Sequence, residues 1–78
     1  AEEVNTLVKY AQSKMKSKAK TAFLLNRKLL MSYSEIAITM GITEKAVEKN
    51  MSNALKVLRQ VFKNHFKIII MACIHQLL

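Results

Sequence analysis

The chain has 78 residues and a formal net charge of +8, with 13 Lys and Arg against 5 Asp and Glu, and 51% of its residues are hydrophobic. One glycine and no proline leave too little turn chemistry for a sheet, and the length leaves room for one small domain only. The basic balance points to a polyanionic partner, nucleic acid or an anionic membrane surface, while the lone Cys73 excludes an internal disulfide and fits a reducing, cytoplasmic compartment.

At the start, AEEVNTLV is no secretory leader, and without an initiator Met the chain reads as a piece of a longer protein. Val4, Leu7, Val8 and Ala11 recur at helical spacing and predict a helix over about 2–12. Glu2 and Glu3 suit the positive end of its dipole. Met15, Ala19, Ala22 and Phe23 continue the period and predict a second helix over about 16–30, with Ser13 or Ser17 as the available caps. Lys9, Lys14, Lys16, Lys18, Lys20, Arg27 and Lys28 fall between residues 9 and 28 with no acid among them. The plainer reading is a solvated helix face; the sharper one is a flank that touches phosphates.

Ser32 followed by Glu35 three residues on is a capping box, and it opens a third helix over about 32–40 with Ile36, Ala37 and Met40 on its apolar side. Gly41 falls where a helix ends in the left-handed conformation that glycine adopts most cheaply. Thr43 then caps a fourth helix, whose apolar face is Val47, Met51, Ala54, Leu55 and Leu58. A short helix, a glycine turn and a longer helix make a helix-turn-helix, whose second helix enters the DNA major groove.

On that helix the opposite face presents Glu44, Lys45, Glu48, Lys49 and Ser52. Residues near the start of a recognition helix reach base edges. Lysine donates to guanine O6 and N7, and glutamate accepts from cytosine N4. The plainer reading is again a solvated surface. Arg27, Lys28, Ser32, Tyr33, Thr43 and Lys56 are the candidate phosphate contacts. Tyr33 serves packing equally well, and Arg59 has the alternative of tying the helix to a carboxylate.

Past Arg59 the apolar pattern runs on through Val61, Phe62, Phe66 and Ile69, so the fourth helix is expected to continue unbroken to about residue 76. The end, IIIMACIHQLL, is apolar nearly all round. It falls short of the roughly 20 apolar residues that a membrane span needs, so a complete span is excluded, and the start of a truncated one is the less favoured alternative. Residues 60–78 are instead an apolar extension that packs on the domain, on a second copy, or on a part of the protein beyond this chain. Phe62, Phe66, Ile69, Ile70 and Ile74 are the candidates for self-association. No catalytic constellation is present. His65, Cys73 and His75 are too few for a four-ligand zinc site. The chain thus reads as all-α, a four-helix domain over 1–78 with a long C-terminal helix, and as no enzyme, with neither metal nor cofactor.

Residues 22–59 resemble region 4, the C-terminal DNA-binding domain of bacterial RNA polymerase sigma factors, and within it the extracytoplasmic-function class. The resemblance rests on Phe23-Leu24-Leu25 with Arg27, on Ser32-Tyr33-Ser34-Glu35-Ile36-Ala37, on Gly41-Ile42-Thr43, and on Ala54-Leu55 with Leu58-Arg59, in that order and at that spacing. It implies reading of the upstream (about −35) promoter element by the helix that enters the major groove. It also implies docking on the polymerase flap, and control by an anti-sigma protein. The chain departs from the family in having Met15-Lys16 where Leu-Pro is usual. It has Leu29-Leu30 where Glu-Gly often stands, which predicts a straighter junction between the second and third helices.

Two other readings compete. A response-regulator effector domain shares the helical plan but begins with an acidic signature, where this chain has the basic stretch Lys16 to Lys20. A protein-interaction or membrane-surface module would use the apolar tail, and would bind anionic vesicles without regard to DNA sequence.

Overall fold

The apolar stripes of the sequence become the inner faces of helices in the computed structural model. It describes residues 2–77, with side chains described at 4–67, 70, 71, 74 and 75. The elements are α1 (Glu2–Lys14), α2 (Ser17–Leu29), α3 (Tyr33–Met40), α4 (Glu44–Asn64) and α5 (Phe66–Leu77), and no strand occurs among the described residues. The protein is all-α.

α4 is the spine, packing against each of the other four helices. Its inner face buries Val47, Met51, Ala54 and Val61. Against it lie Leu7, Val8, Ala11 and Met15 from the first segment, Ala19, Ala22 and Phe23 of α2, and Ile36 and Ala37 of α3. Ile36 and Val47, one on each arm of the helix-turn-helix, are the largest side chains sealed wholly from solvent. Burial of each contributes about 1.5–3 kcal/mol, which holds the two arms to one core. Leu55, expected on the inner face, is exposed. It lies about 80° round the helix from Val47, at 100° per residue, and so falls at the edge of the packed stripe.

Three helix junctions differ from expectation. Neither Ser13 nor Ser17 caps α2. Lys16 occupies that position in extended conformation without a side-chain bond, and the Ser13 hydroxyl donates back to the Tyr10 carbonyl at 2.6 Å. A lysine has no acceptor to offer, so α2 starts without a cap.

The α2–α3 junction is not straightened by the loss of glycine. Leu30 itself adopts the left-handed conformation, with φ 56° and ψ 32°. The turn is closed by its N–H donating to the Leu25 carbonyl and by the Asn26 side-chain amide donating to the Met31 carbonyl at 2.9 Å.

The expected single helix over 44–76 is interrupted at His65, whose backbone leaves the helical region (φ −119°, ψ 33°). Its Nδ1–H donates to the Val61 carbonyl at 2.9 Å, and its ring meets the edge of Tyr10 with centroids 6.0 Å apart. α5 then packs on α1 as well as on α4, and the domain measures 45 × 21 × 16 Å.

Candidate nucleic-acid interface

Local chemistry sets the helix-turn-helix. The Glu35 N–H donates to Ser32 Oγ at 3.2 Å, and the Ser32 N–H donates to Glu35 Oε1 at 2.9 Å, completing the capping box. The backbone N–H of Ser32, and secondarily its hydroxyl, hold the Glu35 carboxyl below its ordinary pKa. At the far end Gly41 sits at φ 68°, ψ 36°. Its N–H bonds the Ile38 carbonyl, and the Ile42 N–H reaches back to Ala37 at 3.0 Å, the double bond of a Schellman turn. Two residues later Thr43 Oγ1 accepts from the Ala46 N–H at 3.0 Å and starts α4.

These caps decide which way α4 faces. With Val47 and Met51 turned into the core, Glu44, Lys45, Glu48, Lys49 and Ser52 are all exposed. Thr43, Lys45, Ala46, Glu48 and Lys49 line one open depression at the start of the helix. The surface offers two lysine donors and two carboxylate acceptors side by side, the groups that distinguish base edges in a major groove.

The candidate phosphate contacts are scattered more widely. Thr43 keeps its hydroxyl proton to donate outward, because only its oxygen is used by the cap. The Ser32 N–H is already committed to Glu35. Tyr33 is half-buried against the core. Arg27 and Lys28 line a separate groove with Asn5, Lys9 and Gln12. Lys56 is exposed farther along α4, where Lys14 and Lys16 of the first junction lie beside it.

Of the self-association candidates, Phe62 packs half-buried on the domain's own core, while Phe66, Ile70 and Ile74 are exposed. Ile69, like Cys73, lies outside the described side chains.

Two features of the structure escape the sequence. The Asn26–Met31 tie has no motif, since an asparagine five residues before a carbonyl carries no local signal. Lys14 and Lys16 stand out only as members of a longer charge run, and their nearness to Lys56 depends on how the first junction packs on α4.

A family model described as Sigma-70, region 4, matches residues 8–58, from within α1 to within α4. The chain belongs to the sigma-70 region 4 family. Region 4 is a DNA-binding transcription domain and not a catalytic one. The exposed face at the start of α4 lies within the matched segment, and the match lends no support to the response-regulator or membrane-surface readings. No described helix is long and apolar enough to cross a membrane. No curated protein and no solved structure matches this region 4 chain significantly. The end of α4 and all of α5 lie beyond the matched segment.

Proposed function

We propose that this region 4 domain reads the upstream (about −35) promoter element, with the start of α4 in the major groove. It does so as part of a sigma factor of the extracytoplasmic-function class in the cytoplasm. The observation that carries the reading is the division of α4. Val47, Met51 and Ala54 are buried, while Glu44, Lys45, Glu48, Lys49 and Ser52 stand together in solvent behind a glycine turn. Lys45 and Lys49 donate to guanines, Glu44 and Glu48 accept from cytosines, and Ser52 completes the base-facing set. Arg27, Lys28, Ser32, Tyr33, Thr43 and Lys56 hold the backbone on either side.

The partners that accompany this role are the flap of the polymerase core and an anti-sigma protein. The exposed side of α5, with Phe66, Ile70 and Ile74, is the surface we assign to a second copy of the chain.

Selection of bound duplexes from a random-sequence pool tests the central reading. Enrichment of one sequence family, lost in Lys45→Ala/Lys49→Ala, is expected. Binding that enriches nothing would sink it.

A further inference from the structure

The cations of α4 do not stop where its reach into a groove stops. Lys45, Lys49, Lys56, Arg59 and Lys63 are spaced i, i+4, i+11, i+14 and i+18. At 100° per residue they fall within an arc of about 80°, opposite the buried face. All five are exposed, and among the described residues none forms an ion pair. At 1.5 Å per residue the row is about 27 Å long.

Only the first turns of a recognition helix reach base edges, because the groove curves away from a straight helix. The later cations, Arg59 and Lys63, thus have no base to read. They are joined by others from outside α4. Lys14 and Lys16, at the α1–α2 junction, share a groove with Asn53 and Lys56. Lys56 also shares the next groove with Arg59, Gln60 and Lys63.

We infer that this cluster, Lys14, Lys16, Arg59 and Lys63 gathered around Lys56, is a sequence-independent track for the phosphate backbone of duplex DNA flanking the recognised element. Two features favour a phosphate backbone over an acidic protein. The row is regular and linear, matching a polymer with evenly repeated charge. Between the cations stand the amides of Asn53, Gln60 and Asn64, which are common phosphate donors. The apolar side chains that line the same groove, Met15, Ala19 and Val57, are buried or half-buried in the domain's own core and offer no exposed apolar centre of the kind protein interfaces have. The inference rests on the DNA-binding reading for the identity of the polyanion, and not on which bases are read.

The test is the salt dependence of binding to a random-sequence duplex long enough to extend past the domain, followed by fluorescence anisotropy. Each phosphate contact contributes about 0.9 to the slope of log affinity against log salt. Arg59→Gln/Lys63→Gln and Lys14→Gln/Lys16→Gln are each expected to lower that slope by about 2 and to weaken low-salt binding about tenfold. The ratio of affinities for a selected and a scrambled sequence should stay as it was. Arg59→Lys/Lys63→Arg should keep the wild-type slope, which separates charge from misfolding.

An unchanged slope in both neutralised variants overturns the inference and hands the surface to an acidic protein. A fall in sequence preference together with affinity also overturns it, making these residues base readers. A wild-type chain with a steep slope but no sequence preference would sink the promoter reading and leave the track standing.

Discussion

Asn26 donates its side-chain amide to the carbonyl of Met31 at 2.9 Å, bridging the left-handed turn at Leu30 that joins α2 to α3. The turn is needed because the two helices pack on each other and on α4. A leucine therefore holds a conformation that costs a residue with a side chain about 1–2 kcal/mol, and it does so with its side chain 84% exposed. Leu30→Gly removes that strain and almost no burial, against a backbone-entropy cost of about 0.5–1 kcal/mol. The expected result is a net gain of up to about 1 kcal/mol in thermal or urea unfolding. Asn26→Ala should cost about 0.5–1.5 kcal/mol. A loss of stability in Leu30→Gly would mean that the leucine side chain holds the turn.

The capping box makes the domain sensitive to acid in a defined direction. Glu35 has its pKa lowered in the folded state by Ser32. Its contribution is complete at pH values above the unfolded carboxylate pKa and is lost as pH falls through the lower folded value. Glu35→Gln should flatten that part of the stability profile on the acid side. A variant profile that parallels the wild type there would show that the cap does not depend on the charge.

Lys49 and Lys56 should separate by role. Lys49→Ala is expected to weaken binding to a selected site by about 1–3 kcal/mol and to relax preference at one position. Lys56→Ala should weaken binding equally on all sequences and lower the salt slope by about one. Titrations of both variants on selected and scrambled duplexes distinguish the outcomes. If the two behave alike, the boundary between base reading and backbone contact is misplaced.

The exposed face of α5 predicts association of the isolated domain. Phe66 is 63% and Ile74 50% exposed, and burial of each large apolar side chain is worth about 1.5–3 kcal/mol. Sedimentation at micromolar protein should show a dimer that Phe66→Lys/Ile74→Lys converts to monomer. A wild-type monomer refutes the assignment.

Thr43 tests the start of the recognition helix. Thr43→Ala removes the acceptor for the Ala46 N–H and should cost about 0.5–2 kcal/mol of stability. Thr43→Ser should restore most of it. Equal stability of the alanine and serine variants would show that the hydroxyl is not a working cap.

What the sequence determined by itself is what depends on neighbours a few residues apart. Ser32 with Glu35, Gly41, and Thr43 set the limits of α3 and the start of α4, because each bond closes within one turn of chain. The period of Ala19, Ala22 and Phe23 marked the buried face of α2, and that of Val47, Met51 and Ala54 placed Glu44, Lys45, Glu48, Lys49 and Ser52 in solvent. The tertiary structure decided the rest. A leucine gives no local sign of a left-handed turn; packing of α3 against α2 imposes it. Nothing near His65 breaks a helix by propensity, and its departure coincides with the ring of Tyr10, more than fifty residues earlier in the chain. Whether Phe62 turns inward and Leu55 outward, and whether Lys14 and Lys16 stand beside Lys56, follows from how α1, α2 and α4 seat on one another. Those are contacts across long stretches of sequence, which no local pattern encodes.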